Sequence, residues 1–278
     1  MLATAPLATT DIADLAVAAL RAEADLTPKP GLVDRRGSGA HTDMDLAMLH
    51  RSAASLHQAF VECSSIAASV EDDVDLRARL GEIGRTGERA MLAATGGVNT
   101  HRGALWSLGL LSAGAARGGD AATVAARLAA IADPHVTTVP SHGEQVRRRY
   151  GVVGAAGEAQ QGFPHVRLLA LPALRAARRS GADEASARLT ALLTLMATLD
   201  DTCVLHRGGP GGLRALQSGA RAVLDAGGIG TPSGRRRFTA LDALCLDRRL
   251  SPGGSGDLLA ATLFLDALSG RRMRTCRL

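Results

Sequence analysis

Apolar residues recur every three or four positions along most of the chain, which is the spacing of helices that bury one face. One such stripe is formed by Leu46, Leu49, Ala53, Leu56 and Phe60. It predicts a helix from about residue 42 to residue 69. No stretch alternates apolar and polar residues as a half-buried strand would. The pattern therefore predicts an all-α fold, with a single compact multi-helix domain over residues 1–278.

Further helices are predicted by the same spacing, and several would begin at polar capping residues, namely Asp11, Thr42 or Asp43, and Asn99 or Thr100. Their expected bounds are about residues 11–25, 72–94, 100–116, 120–132, 183–199, 238–248 and 257–269. Glycine-rich loops lie at several of these helix starts. Because exposed N–H groups at a helix start attract anions, we expect these loops to form the functional site.

Composition supports helices and favours an anionic ligand. Hydrophobic residues make up 46% of the chain but aromatic residues only 2%, so Leu, Ala, Val and Met must fill the core. The formal charge of +5 and the pI near 9.6 come from arginine, since Lys29 is the only lysine. Arginine binds phosphate in a bidentate manner. No basic run is interleaved with aromatic residues, so nucleic acid is not an expected partner.

Cysteine spacing and the N-terminal residues indicate a cytoplasmic protein. Cys63, Cys203, Cys245 and Cys276 lie too far apart for a zinc or redox motif, which favours separate reduced thiols. Met1 to Thr10 lacks the basic start and apolar run of a signal peptide. No apolar stretch of about 18 residues occurs, so we expect no association with a membrane.

The stretch from residue 29 to residue 45 is built like a ligand site. Prolines keep the backbone extended, and Gly31 and Gly39 let the main chain approach a ligand closely. Charged and titratable side chains crowd into it, namely Lys29, Arg35, His41 and Asp43. The alternative is a solvated connector whose glycines serve turns.

Three later loops join polar groups to open backbone before a helix. The first could also be an ordinary capped helix start, and the glycine-rich turn of the third is weak evidence of a phosphate site by itself. Their candidate residues are Asn99, Thr100, His101 and Arg102 in the first loop, His206 and Arg207 in the second, and Ser251, Gly253, Gly254 and Asp257 in the third.

Four acidic residues have unusual local surroundings. Asp200 and Asp201 follow an apolar helix, where they oppose its dipole unless a cation or a network of donors compensates. Glu158 lies among glycines and alanines where a ligand could approach, although it could equally be the first-turn acid of the next helix. Glu23, near the end of the first helix, is either exposed or paired with a cation or a metal.

In their order along the chain, these motifs resemble the triphosphoribosyl-dephospho-CoA synthase family. The matching segments are residues 28–34, 39–44, 97–103, 157–164, 201–209 and 250–255. The chain departs from the family pattern at Ala156, where the family has an arginine just before the Gly-Glu-Ala motif. If that arginine holds the triphosphate, Arg207 or a residue of the segment 147–149 must substitute for it.

The resemblance implies an adenine-releasing triphosphoribosyl transferase. ATP and 3'-dephospho-CoA would give 2'-(5''-triphosphoribosyl)-3'-dephospho-CoA and adenine, with Mg²⁺ as cofactor. The product would pass to a holo-acyl-carrier-protein synthase, for the prosthetic group of malonate decarboxylase or citrate lyase. The short chain resembles the malonate decarboxylase branch, and a homodimer is compatible with the sequence.

Under this resemblance the candidate catalytic residues are Glu158, His101 and Asp43. Glu158 would be the base for the attacking hydroxyl, and His101 would donate to adenine or contact the triphosphate, with the two roles exchangeable. The candidate Mg²⁺ ligands are Asp43, Asp200, Asp201 and Asp257. Polyphosphate would be held by Lys29, Arg35, Arg102 and Arg207, and the other substrate-binding residues would be His41, Asn99, Thr100, His206, Ser251, Gly253 and Gly254.

Other functions fit parts of the sequence. A Mg²⁺-dependent N-ribosyl hydrolase would release adenine or nicotinamide without any acceptor. A non-enzymatic basic helical protein would bind DNA or RNA in a strongly salt-dependent way. A helical partner in a larger assembly would have no use for Asp200 and Asp201, so their replacement by Asn should then stabilise the fold.

Overall fold

The computed structural model describes residues 7–135 and 142–275, and Cys276 lies outside them. The described residues form thirteen α-helices, a π-helical segment and a short 3₁₀ helix, and they contain no strand. This confirms the all-α prediction. The helices in chain order are α1 (Thr9–Asp25), α2 (Leu46–Ser55), α3 (His57–Ser69), α4 (Asp73–Ala94), α5 (Arg102–Ala116), α6 (Ala121–Ala130), α7 (His142–Tyr150), α8 (Gly154–Gln160), the π-helical segment (His165–Ala170), α9 (Leu171–Arg179), α10 (Glu184–Thr198), α11 (Thr202–Asp225), the 3₁₀ helix (Gly228–Gly230), α12 (Pro232–Asp247) and α13 (Gly253–Thr275).

The core is centred on α5, α10 and α13, whose side chains are largely buried. α5 packs against α3 and α6, and α13 packs against α1 and α5. One continuous cluster of buried side chains runs from Ile12 in α1 to Leu268 in α13 and consists chiefly of Leu and Ala. Burying one Leu side chain contributes about 2 kcal/mol, and the small Ala residues let the helix axes approach closely.

The helix predicted from residue 42 to residue 69 is interrupted. α2 ends at Ser55 and α3 begins at His57, with Leu56 between them at φ −87° and ψ −9°. The expected caps were wrong, because Asp45 caps α2 by accepting from the backbone N–H of Met48 at 2.7 Å. Leu56 is fully buried, so the apolar stripe continues across the break.

The glycines after His206 were predicted to form a loop before a helix, but they lie inside α11. Gly209 has non-helical φ 59° and ψ −167°, and Pro210 follows it, so α11 consists of two helical parts that meet at a kink at Gly209. Three predicted helix starts were also too late, since α1 begins at Thr9, with Asp11 in its first turn and not at its cap, α12 begins at Pro232 and α13 at Gly253.

Within the described residues, no single helix has both the length and the apolar character needed to cross a bilayer. The bent pair α10 and α11, at 58° to each other, meets the requirement on length and composition alone.

Candidate active site

A buried ion pair joins the end of α1 to the loop that follows it. Lys29 is 1% exposed, and its Nζ donates to Glu23 Oε1 and to the Glu23 backbone oxygen, both at 2.7 Å. Glu23 is therefore buried beside a cation, which is the second of the two alternatives expected for it. Any contact of Lys29 with polyphosphate would have to use its remaining N–H.

Gly31 lets this loop lie against the loop before α13. Its φ is +69°, and a Cβ atom there would lie 2.2 Å from the backbone oxygen of Leu250. No other residue type would fit at this backbone conformation and separation. The first motif of the chain therefore lies against the last.

Asp257, in α13, lies over the start of α5. A Cβ atom on Gly103 would lie 2.1 Å from Asp257 Oδ2, so only glycine allows this approach. The pKa of Asp257 is raised well above its ordinary value by burial and by the nearby carboxylates of Glu23 and Asp201, against a hydrogen bond from the backbone N–H of Ala104. The structure thus brings the carboxyl groups of Glu23, Asp201 and Asp257 near one another, and burial favours the protonated form of Asp257.

Asp201 joins the starts of α11 and α13. It is 1% exposed, and its Oδ1 accepts from the backbone N–H groups of Cys203, Val204 and Gly254 at 3.0, 3.3 and 3.3 Å. Its Oδ2 accepts from the backbone N–H and the hydroxyl of Ser255 at 2.8 and 3.0 Å. Burial raises the pKa of Asp201, while these donors oppose the rise. The compensation expected for this acid is supplied by a donor network.

Asp200 differs from its neighbour. Its side chain is exposed, and its Oδ1 lies 3.5 Å from Nε2 of Gln217. Its carboxylate oxygens are therefore still accessible to a ligand, whereas those of Asp201 are engaged within the protein.

His101 is buried at the start of α5 and is held by two hydroxyl groups. Its Nδ1 lies 2.7 Å from Ser52 Oγ, which in turn lies 2.6 Å from Thr100 Oγ1. Burial, then the nearby Lys29 and His50, lower the pKa of His101 to about 4. His101 is therefore neutral at pH 7 and offers one N–H. The hydroxyl of Ser52 was not identified from sequence.

His41 links the first loop to α11 and to the loop before α13. Its Nε2 lies 2.7 Å from Ser251 Oγ, and its Nδ1 lies 3.1 Å from Arg207 Nη2. Arg207 can only donate and Asp43 can only accept, so Nδ1 can bond to one of them at a time, and the tautomer that accepts from Arg207 carries its proton on Nε2 and donates to Ser251. Burial and the charge of Arg207 lower the pKa of His41, against the attraction of Asp43. Asp43 is 57% exposed, 3.4 Å from His41 Nδ1.

Glu158 lies in the last part of α8, so it is not the first-turn acid of a helix. It is 1% exposed, and both of its oxygens accept hydrogen bonds from His165. His165 was not identified from sequence. The only signal was its position directly after the Gly-Phe-Pro segment.

The remaining predicted residues lie at the edges of this network. Arg35 is largely exposed and paired with Asp25, and Arg102 is paired with Glu88. Asn99 accepts from the backbone N–H of Arg102 at 3.2 Å, but α5 begins directly after His101, so the expectation that Asn99 or Thr100 caps this helix was wrong. His206 is exposed. Gly253 and Gly254 are half-buried and lie in the first turn of α13.

The acidic residues fit a Mg²⁺ ion carried by a phosphate ligand better than a metal ion held by protein alone. Among the described residues, no three His, Cys, Asp or Glu side chains are placed to hold a metal ion together. The donors on Asp201 occupy its lone pairs. Since Mg²⁺ commonly uses one or two carboxylates together with substrate phosphates, Asp43, Asp200 and Asp257 suffice as candidates.

Comparison with known proteins gives one consistent result. The family model described as ATP:dephospho-CoA triphosphoribosyl transferase matches residues 9–275. A protein of Stutzerimonas stutzeri named "probable 2-(5''-triphosphoribosyl)-3'-dephosphocoenzyme-A synthase" is 57% identical over 274 residues, covering 95% of this chain and 94% of that protein. Relatives of the same name from Pseudomonas fluorescens and Azotobacter vinelandii are 56% and 54% identical, covering 92% of this chain and 91% and 90% of theirs. No solved structure matches the chain.

Proposed function

The chain belongs to the ATP:dephospho-CoA triphosphoribosyl transferase family, and we propose that it moves the triphosphoribosyl group of ATP onto the 2'-hydroxyl of 3'-dephospho-CoA and releases adenine. The observation that carries this proposal is the contact between motif segments far apart in sequence. Asp201 binds Ser255, His41 lies between Ser251 and Arg207, and Asp257 lies over Gly103.

The chemistry of this transfer matches the groups in the site. Breaking the bond between ribose and adenine places positive charge on the sugar, which carboxylates stabilise. The attacking hydroxyl needs a base, and Glu158 is our candidate because it is a buried carboxylate whose two oxygens are both held by His165. Neutral His101 offers one N–H for the leaving adenine or for a phosphate oxygen.

The triphosphate must remain intact, so the site has to hold it without promoting attack at phosphorus. We assign its binding to Arg207, because the first N–H groups of α13 are already bonded to Asp201 and those of Arg102 and Ala104 in α5 are bonded to Asn99 and Asp257. A Mg²⁺ ion on the triphosphate would neutralise part of its charge, with Asp43, Asp200 and Asp257 as its candidate protein ligands.

Arg147 is our candidate to replace the arginine that the family pattern has at position 156. Its side chain packs against the start of α8, where a Cβ atom on Gly154 would lie 3.0 Å from its Cδ. Its Nη1 donates to Glu144 at 2.8 Å, while its buried Nε has no partner among the described residues. A phosphate oxygen could accept from that N–H.

The carrier protein that receives the product is proposed from the family resemblance. We place the chain in the malonate decarboxylase branch, with a holo-acyl-carrier-protein synthase consuming the product. Coupled reactions with the carrier subunits of malonate decarboxylase and citrate lyase, each with its own synthase, would separate the two branches by which carrier gains mass.

The test of the proposed function is a reaction of the purified protein with ATP, Mg²⁺ and 3'-dephospho-CoA, followed by mass spectrometry with each component omitted in turn. We expect adenine and the triphosphoribosyl adduct together, only when the acceptor is present, and more slowly without Mg²⁺. Adenine without an acceptor would favour an N-ribosyl hydrolase instead, and absence of adenine in every reaction would refute the proposal.

Replacement of Arg207 by Ala is expected to raise the KM for ATP by roughly 10-fold or more, because a hydrogen bond to a charged group contributes about 1.5–3 kcal/mol. The value of kcat should change less, since the phosphates are bound in both the ground state and the transition state. Steady-state kinetics of adenine release measures both constants.

Arg79→Ala is the matched control, because it removes the same charge from α4, where Arg79 bonds to Asp75. An equal increase in the KM for ATP in both variants would show a general charge effect and refute the assignment of Arg207.

A further inference from the structure

A single residue, His165, fixes both oxygens of the Glu158 carboxylate. The backbone N–H of His165 donates to Oε1 at 2.9 Å, and its Nδ1 donates to Oε2 at 2.7 Å. A carboxylate held at two points cannot rotate about its terminal bond, so the lone pairs left on each oxygen have a fixed direction. Glu158 is 1% exposed, so this contact also supplies the partners that a buried charge requires.

The backbone between the two residues is shaped to make this contact. Gly162 and Phe163 both have positive φ, at 76° and 59°, which reverses the chain after α8. Phe163 is fully buried, and its backbone N–H donates to the Glu158 backbone oxygen at 2.8 Å. A non-glycine residue in the left-handed region is uncommon and is retained only where its surroundings hold it.

A π-helical segment then begins at His165 itself. Such segments are rare and occur mostly as short insertions in helices, often at functional sites. The wider π-turn follows directly on Pro164, so the ring and the backbone N–H of His165 face Glu158 together. The segment 162–165 therefore reverses the chain direction, so that His165 contacts the Glu158 carboxylate.

His165 also contacts the end of α10, beside the aspartates at 200 and 201. The backbone of Thr198 and the charge of Asp200 lie near its imidazole. The pKa of His165 is raised, first by the hydrogen bond to Glu158 and against burial, then by these two groups. The ring is thus held between the two parts of the site that carry Glu158 and Asp200.

We propose that His165 is a positioning residue for Glu158, which it aligns as the base that removes the proton from the attacking ribose hydroxyl. This inference rests on the proposed function. The 2'-hydroxyl oxygen of the acceptor bonds to C1' of the ATP ribose while the C1'–N9 bond breaks and its electron pair stays with adenine. Glu158 takes the hydroxyl proton and later releases it to solvent, while solvent supplies one proton to N9 of the departing adenine, so the reaction balances.

The experiment compares two amide replacements that differ in where they place an N–H group. Asparagine at position 165 places its amide nitrogen near the position of Nδ1, whereas glutamine places it near the position of Nε2. Both variants are polar and keep the backbone N–H. We expect His165→Gln to lower kcat by about 100-fold, the scale of a misaligned general base. We expect His165→Asn to remain within about tenfold of the unsubstituted protein.

In both variants the KM values for ATP and 3'-dephospho-CoA should stay near those of the unsubstituted protein. The reason is that His165 contacts the proposed general base Glu158, whereas the triphosphate is assigned to Arg207. Thermal unfolding of each variant reports any structural effect separately. Equal kcat values for His165→Asn and His165→Gln, whether both high or both low, would overturn the inference. If the unsubstituted protein itself forms no adduct, the proposed function fails instead, so the two failures are distinguishable.

Discussion

Replacing Glu158 by Gln is expected to lower the kcat of adenine release by about 10²- to 10⁴-fold, because general-base catalysis contributes on that scale. The amide has the shape of the carboxylate but cannot take a proton. The KM for ATP should change by no more than about threefold, since the lost interaction belongs to the transition state. Steady-state kinetics with varied ATP and saturating 3'-dephospho-CoA measures both constants.

Glu62→Gln is the control for the loss of one carboxylate. Glu62 lies on α3 and accepts from Gln58 Nε2 at 2.9 Å, a local contact on the helix surface. This variant should keep the kcat of the unsubstituted protein. If Glu158→Gln weakened ATP binding as much as it slowed turnover, Glu158 would be a binding residue and not the base.

The helices were largely predictable because their signals are local. Asp183 caps α10 and Asp120 caps α6, each accepting from the backbone N–H three residues later, and the apolar stripes begin directly after them. The break at Leu56 was not predictable in this way. Its residue type is a good helix former and it continues the stripe, so only tertiary packing distinguishes it.

Kinks and helix starts within glycine-rich segments were the least predictable parts of the fold. In α11, Gly209 and Pro210 carry the same signal as a loop, yet the helix resumes after one non-helical residue. In α13 the helix begins at Gly253, because the first N–H groups are bonded to Asp201 from another helix. Sequence spacing contains no information about such a distant acceptor.

The candidate site was predicted as a set of residues, whereas the contacts between them come from the structure alone. Asp201, Ser251 and Arg207 were singled out because each lies in a segment of unusual local chemistry, and the family resemblance then joined these segments. The partners Ser52 and His165 were missed, since each contacts a predicted residue only after the chain has turned back on itself. Glu23 was recognised as unusual, but its pairing with Lys29 depends on the loop between them.

Replacing Asp201 by Ala is expected to lower the free energy of unfolding by about 3–5 kcal/mol, because several buried N–H donors would lose their acceptor. At the size of this chain that corresponds to a fall in Tm of roughly 10 °C. Circular dichroism during heating, or denaturation with urea, measures the change. Activity should fall as well, since Asp201 joins the helix starts of α11 and α13.

The matched control is Asp200, the neighbour of Asp201. Its side chain is exposed, and its Oδ1 lies 3.5 Å from Nε2 of Gln217. Asp200→Asn should change stability by no more than about 0.5 kcal/mol. Asp201→Asn should destabilise, since its amide N–H₂ would face the N–H of Ser255 in place of an oxygen. Stabilisation of the fold by Asn at both positions is the outcome expected of a purely structural helical partner. Such stabilisation would mean that the hydrogen bonds donated to Asp201 do not offset the free-energy cost of burying its charge.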